Sequence, residues 1–174
     1  LAPLYLKMQQ AAAQDATPDG SAEASPVAGD FSDLPLATIA MAPGSEAEGA
    51  DPEAVVNFNL GSEIDSGDPQ VYAFLNEIEI GSKVFAPLLA LNENNEVADA
   101  GADSVKLSSD GRVYQFHIRE GMTYSDGTPC TAKDYAYGIK RALDPEVAGN
   151  YSNILFAVTG AEAWRTADPT AADI

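Results

Sequence analysis

The chain has 174 residues, the length of about one domain, and its 27 acidic and 9 basic residues give a formal net charge of −18. A nucleic-acid backbone is bound by clustered lysine and arginine, so this charge balance argues against a nucleic-acid partner. No apolar run approaches the roughly 20 residues of a membrane-spanning helix, and one cysteine cannot form an internal disulfide. We interpret the acidity as a solvated, self-repelling surface, with recruitment of cationic ligands as the alternative.

Residues 1–53 differ in composition from the rest of the chain, with nine acidic residues, a single base and many small or polar residues. Such a segment buries too little apolar surface to offset the entropy of ordering, so we expect a disordered acidic tether. Docking is expected only at Phe31, Leu34 and Leu36. Because the chain opens with Leu1 and not with methionine, we interpret it as an incomplete translation product, with room upstream for a signal peptide or a lipid-anchored cysteine.

Order is expected to begin near residue 54. A β-branched and aromatic run predicts a largely buried strand there: Val55, Val56, Phe58 and Leu60. After a turn at Asp68-Pro69, apolar residues recur close to a helical period, and the firm helix is expected around Glu77–Ala86.

Residues 105–119 predict a β-hairpin. Val105 and Leu107 alternate with polar residues, and a loop that ends in Gly111 follows. Beyond the loop, one face of the second strand is apolar and the other polar: Tyr114, Phe116 and Ile118 against Gln115, His117 and Arg119. This period of two is typical of a half-buried strand.

A capped helix follows the hairpin. Thr131 predicts the N-cap, and the carboxylate of Asp134 can reach back to the amide of Thr131 in a capping box. Cys130 and Tyr135 are placed to form a hydrophobic staple across the same junction. The helix ends near Asp144, which precedes a proline. Two further elements are expected, a short apolar segment at Tyr151–Val158 and a helix start at Gly160–Arg165.

Nothing in the sequence forms a recognisable catalytic or metal-binding constellation, so we expect neither enzyme activity nor a cofactor. The single histidine, His117, lies on the polar face of its strand and is interpreted as a surface residue. A nucleophilic Cys130 would need a base within reach, and we favour the staple interpretation. The acidic loop Asp99–Asp103 lacks the alternating oxygen ligands and the glycine of a calcium loop.

The motifs, in this order, resemble those of solute-binding protein family 5. They are Asp-Gly at 110–111, Tyr-x-Phe-x-Ile-Arg at 114–119, Tyr-Ser-Asp-Gly-Thr-Pro at 124–129, Thr-Ala-Lys-Asp-Tyr at 131–135 and Lys-Arg-Ala-Leu-Asp-Pro at 140–145. The resemblance extends back to Asn57 and forward to Gly160. Two positions depart from the family pattern: Tyr124 stands where tryptophan is usual, and Cys130 where an aliphatic residue is usual.

The resemblance implies an α/β fold of the type II periplasmic-binding-protein kind, in which two lobes enclose a ligand. Residues 54–85 would then begin the first lobe, residues 86–174 would form an accessory subdomain, and the second lobe would be missing from this chain. It also implies the substrate-binding component of an ABC importer, which works outside the cytoplasm with ABC permease subunits. Contact with the membrane would run only through an upstream anchor.

The resemblance also implies where a ligand binds. The segment after the Asp-Pro turn faces the cleft in peptide-binding members, which points to Ala73, Phe74 and Leu75, and Tyr151 matches a tyrosine that faces the ligand. Plain core packing is the alternative for Tyr151, and for Phe74 and Leu75 it is the favoured one, because both fit a helix face. Many peptide receptors place an acid in this segment to hold the peptide amine, but here none precedes Glu77. The missing acid counts against capture of a peptide amine by this segment. Peptide is still the leading ligand class that the resemblance implies, with nickel chelates and sugars as alternatives.

Two other functions stay open at this level. A ligand-sensing or interaction domain could reuse the same fold without transport. A hydrolase could carry its catalytic residues beyond Ile174.

Overall fold

The computed structural model describes residues 4–7, 35–41, 51, 53–55, 57–147 and 149–166, with only the backbone described for 4–7. Its centre is the predicted hairpin, formed by β5 (Ala102–Ser108) and β6 (Val113–Ile118). Gly111 closes the turn with a φ of 72°, a left-handed conformation that glycine adopts without steric cost. The hairpin prediction is confirmed.

The apolar face of the hairpin forms the main core. Val105 lies opposite Phe116 in the antiparallel register. Both side chains are buried together with Ala102, Ile118 and Ala132, the last of which belongs to the following helix. The predicted alternation therefore gives the correct buried face, because successive side chains of a strand point to opposite sides of the sheet.

The helix α2 (Ala132–Leu143) begins where the sequence predicts. The carboxylate of Asp134 accepts hydrogen bonds from the amide and from the hydroxyl of Thr131, both at 2.7 Å. The carboxylate half of the predicted capping box is therefore formed. Through these bonds the pKa of Asp134 lies below its usual value.

The far end of α2 packs in a second, smaller core. Leu143 is fully buried there with Val158 and Ala161. Val158 directly follows a 3₁₀ helix (Ser152–Ala157), and Ala161 is the first residue of α3 (Ala161–Arg165). These two helices are the observed forms of the expected apolar segment and helix start. Because Ala132 lies in the first core and Leu143 in the second, α2 is fixed at both ends.

A second, two-stranded sheet of β3 (Leu89–Leu91) and β4 (Val97–Asp99) precedes the hairpin. It joins the hairpin at Gly101, whose amide donates to the carbonyl of Pro87 at 2.9 Å. A Cβ atom on Gly101 would lie 2.0 Å from the hydroxyl oxygen of Tyr135, so only glycine fits this approach.

Two parts of the N-terminal segment are ordered, contrary to the expected tether. The strand β1 (Leu4–Lys7) pairs with β6, and β2 (Leu36–Thr38) pairs with β5, so the sheet order is β1-β6-β5-β2. Ile39 and Met41 then pack on the main core. For these residues the tether prediction is wrong, because the outer edges of the hairpin offer unpaired backbone groups that short extended segments can satisfy.

The rest of residues 1–53 lies almost entirely outside the described residues, including Phe31 and Leu34, whereas docking at Leu36 is confirmed. The strand predicted at residues 55–60 is wrong. Val55 is 81% and Phe58 54% exposed, residues 57–60 have no strand conformation, and Val56 is outside the described residues. A strand needs a neighbour to pair with, and no described strand lies beside this run.

The first helix, α1 (Leu75–Val84), begins and ends two residues earlier than expected. It ends at Phe85, which is extended, with φ −109° and ψ 136°, and Pro87 follows shortly afterwards. Within the part of the chain that the structure describes, no helix has the length and apolarity needed to cross a membrane.

We predict that Gly101→Ala lowers the melting temperature of the protein by about 2–8 °C, because the added methyl group forces apart the hairpin start, Tyr135 and the Pro87 carbonyl. The matched control is Gly67→Ala, since a Cβ atom there would meet nothing within 4 Å. Differential scanning fluorimetry compares the two variants. Equal melting temperatures for both would contradict the close packing at Gly101.

Candidate functional site

The structure brings the two candidate ligand-contact regions together. Ala73 and Phe74 lie in irregular backbone immediately before α1, and Tyr151 precedes the 3₁₀ helix. The hydroxyl of Tyr151 donates to the carbonyl of Ala73 at 3.2 Å across 78 positions of sequence. A single surface therefore holds all four predicted contact residues, since Leu75 follows directly.

The side chains at this surface are open to solvent. Phe74 is 57%, Leu75 79% and Tyr151 51% exposed. Core packing was the alternative interpretation for Tyr151 and the favoured one for Phe74 and Leu75, and the described residues do not show it. Large exposed apolar side chains that adjoin one another are typical of a surface that meets a ligand or another part of a protein.

Glu77 fixes the backbone beneath this surface. Its side chain is buried, with 1% exposed. One carboxylate oxygen accepts from the amides of Ala73 and Phe74 at 2.7 and 3.1 Å, and the other from the amides of Asp65 and Ser66 at 3.1 and 3.2 Å. The bonds from Ala73 and Phe74 are the main reason why the pKa of Glu77 is lowered, against the opposing effect of burial.

A second set of bonds ties the same segment to α2. The guanidinium of Arg141 donates to both carboxylate oxygens of Asp68, at 3.0 and 2.6 Å, and to the side-chain oxygen of Gln70 at 2.5 Å. The bond from Arg141 is the largest cause of the lowered pKa of Asp68. Two parallel bonds between a guanidinium and a carboxylate fix orientation as well as distance.

Two amide side chains extend this contact along the segment. Gln70 donates through Nε2 to the carbonyl of Gly138 on α2 at 2.7 Å. Asn150 donates through Nδ2 to the carbonyl of Val71 at 2.9 Å. We call the set Asp68, Gln70, Arg141, Asn150 and Tyr151 the polar clamp.

The sequence did not reveal the polar clamp. In the sequence, Arg141 appears only within the motif at 140–145 and Asp68 only as a turn residue, and 73 positions separate the two. For Glu77 a local signal exists, since an acid at the third helical position can accept amide bonds from the residues before the helix. An aromatic residue, Phe74, stands at the N-cap, and that obscured the signal.

The other candidates from the sequence lie elsewhere. His117 is exposed, and its Nδ1 lies 2.7 Å from a carboxylate oxygen of Asp103. Cys130 is half-buried between Tyr124 and Tyr135, as expected for the staple. Burial, together with the nearby thiol, raises the pKa of Tyr124 to about 12. Among the described residues, no group of three or more His, Cys, Asp or Glu side chains is placed to hold a metal ion.

We predict that Glu77→Gln lowers the melting temperature at pH 7, because an amide cannot accept all the bonds that the carboxylate accepts. The pKa of Glu77 is lowered in the folded state, so its stabilisation is present above the unfolded pKa of about 4.3 and is lost as the pH falls through the folded pKa. The melting temperatures of the variant and the unmodified protein should therefore approach each other as the pH falls from about 4.3 through the folded pKa. A difference that stays constant down to pH 2 would contradict a charged Glu77.

The comparisons with known proteins agree with this architecture. The family model of bacterial extracellular solute-binding proteins, family 5 Middle, matches residues 96–170. The oligopeptide-binding protein OppA of Bacillus subtilis (strain 168) is 36% identical over 92 residues, which are 53% of this chain and 17% of that protein. The periplasmic oligopeptide-binding protein OppA of Escherichia coli (strain K12) is 36% identical over 97 residues, 56% of this chain and 18% of that protein.

A relative with a different ligand in its name is the probable deoxycholate-binding periplasmic protein YgiS of Escherichia coli (strain K12), 32% identical over 104 residues, 60% of this chain and 19% of that protein. Among solved structures, the unliganded open form of the periplasmic murein tripeptide binding protein MppA superposes with a TM-score of 0.56 at 31% identity. The match covers 59% of this chain and 20% of that one.

The chain thus spans less than a fifth of the two OppA proteins it matches. Its α/β fold resembles the corresponding part of the periplasmic binding protein MppA, in agreement with the predicted fold class. The family match spans residues 96–170, less than half of this chain, and it agrees with the resemblance of the sequence motifs to solute-binding protein family 5.

Proposed function

We propose that this chain is part of the substrate-binding component of an ABC importer and captures peptides or related small solutes outside the cytoplasm. The observation that carries the proposal is the bond between Tyr151 and Ala73, with Phe74 and Leu75 exposed beside it. Several relatives bear names of oligopeptide- or dipeptide-binding proteins, which favours peptide as the ligand class. We also propose that the protein works with ABC permease subunits and that an upstream anchor holds it at the membrane.

The surface formed by Phe74, Leu75 and Tyr151 is suited to form one wall of a ligand-binding cleft. In such a receptor, two lobes close on the solute, and the closed form is favoured by the contacts that it adds. Phe74, Leu75 and the ring of Tyr151 supply apolar contact area, and an aromatic ring buries a large area with little loss of side-chain freedom. No bond of the solute is made or broken in this mechanism, so the proposed protein is a receptor and not an enzyme.

The acidic side chains at this wall indicate which part of a solute the wall contacts. The carboxylate of Asp68 is paired with Arg141, and that of Glu77 accepts four backbone amides. Both carboxylates already accept hydrogen bonds from within the protein. Exchanging those bonds for bonds to a ligand amine would bring little gain in free energy. We infer that this wall takes the apolar parts of a solute and that a peptide amine is held by another part of the full-length protein.

We predict that the full-length protein binds tripeptides of the form Ala-X-Ala and that Tyr151→Ala weakens the binding about tenfold, since it removes both ring area and the bond to Ala73. Tyr151→Phe keeps the ring and should weaken binding less. Isothermal titration calorimetry gives the dissociation constants. A nickel chelate and a sugar are titrated in parallel to test the other two ligand classes.

Tyr124→Phe serves as the control, because it removes a tyrosine hydroxyl at the turn before α2 and should leave the dissociation constant unchanged. If the unmodified protein binds no tripeptide, the proposed peptide function is wrong. If Tyr151→Ala binds as the unmodified protein does, this surface is not part of the ligand site.

A further inference from the structure

The segment that carries the proposed contact residues has no regular structure of its own. Residues 71–74 belong to neither a helix nor a strand. Backbone in a sheet or helix is located by its ladder of hydrogen bonds, and this segment lacks that ladder. Its place must therefore be set by side chains that reach it from other elements.

Glu77 determines the shape of the segment but not its place. Its carboxylate bonds the amides of Ala73 and Phe74, which lie three and four positions earlier in the same stretch of chain. Such a local contact moves together with the segment and α1. It gives no link to the hairpin or to α2.

Arg141 supplies that link. It lies in the last turn of α2, and its guanidinium contacts Asp68 with two bonds and Gln70 with one. The side chains of Arg141 and Asp68 are 34% and 31% exposed, so the pair is partly shielded from solvent. α2 itself is fixed at both ends by the two hydrophobic cores, which makes it a rigid base for the contact.

We infer that Arg141 is a positioning residue for ligand binding: through Asp68 and Gln70 it holds residues 71–75 so that the exposed side chains of residues 73–75 meet the solute. This inference rests on the proposed function, and it adds a residue that does not itself touch the ligand. Arg141 acts together with Asn150 and Tyr151, which donate hydrogen bonds to the carbonyls of Val71 and Ala73.

Lysine should not replace this arginine. A guanidinium offers donors in a planar fork, which allows two bonds to one carboxylate and a third to the Gln70 oxygen. An ammonium is a point charge on a flexible chain and keeps the charge without the geometry. Arg141→Lys therefore separates position from charge, and it is a milder change than removal of the side chain.

The test uses the full-length protein with Arg141→Lys, Asp68→Asn and the double variant. The control is Lys133→Ala, which removes an exposed cation from the first turn of the same helix. Two quantities are measured for each: amide hydrogen exchange without ligand, read by mass spectrometry, and the dissociation constant for the tripeptide alanyl-phenylalanyl-alanine, read by calorimetry.

We expect Arg141→Lys to speed exchange in residues 70–75 while exchange in β5 and β6 stays unchanged, and to weaken tripeptide binding about tenfold. Asp68→Asn should act in the same way. The double variant should be no worse than the more severe single variant, because both changes break one interaction. Lys133→Ala should match the unmodified protein in both quantities.

Unchanged exchange at residues 70–75 in Arg141→Lys would overturn the inference, and so would exchange that rises equally across β5 and β6, which indicates general destabilisation. Faster local exchange with unchanged tripeptide affinity would overturn the link to ligand binding. If the unmodified protein binds no tripeptide, the proposed function fails on that result alone, and the exchange data still decide whether Arg141 positions the segment.

Discussion

The packing of α2 on the apolar face of the β5–β6 hairpin is the constraint on which the other features depend. Ala132 enters the core beside Val105, Phe116 and Ile118, and this contact fixes the first turn of the helix against the hairpin. The length and direction of α2 then place Leu143 in the second core and present Arg141 to the segment before α1. If the hairpin face were not apolar, the N-terminal end of α2 would lose the core that fixes it, because burial of apolar surface is the main force that holds such layers together.

The candidate site uses a different kind of interaction. Its backbone is irregular, so side chains satisfy its donors and acceptors: Glu77 accepts from its amides, while Asn150 and Tyr151 donate to its carbonyls. This arrangement leaves the large apolar side chains of the segment free to face outward. The backbone of such a site is already held in place, so it loses little conformational freedom when a ligand binds, and this favours affinity.

The hairpin and the start of α2 were predicted correctly from sequence because their signals are local. A turn glycine, an alternation of apolar residues and an acid three positions after a threonine all act between neighbours in the chain. The strand predicted at residues 55–60 failed for the opposite reason, since a strand exists only with a partner that propensity does not reveal. The tether prediction failed at β1 and β2 because the average composition of residues 1–53 concealed two short apolar runs.

The sequence by itself determined the central strand–turn–strand–helix unit. Its resemblance to a family gave the class of fold and the four residues proposed to meet a ligand. Only the tertiary structure decided that Tyr151 bonds Ala73, that Arg141 holds Asp68 and that Glu77 is buried under four amides. The two longest of these contacts join positions more than seventy residues apart. Whether such residues meet depends on how α2 packs, and no local propensity carries that information.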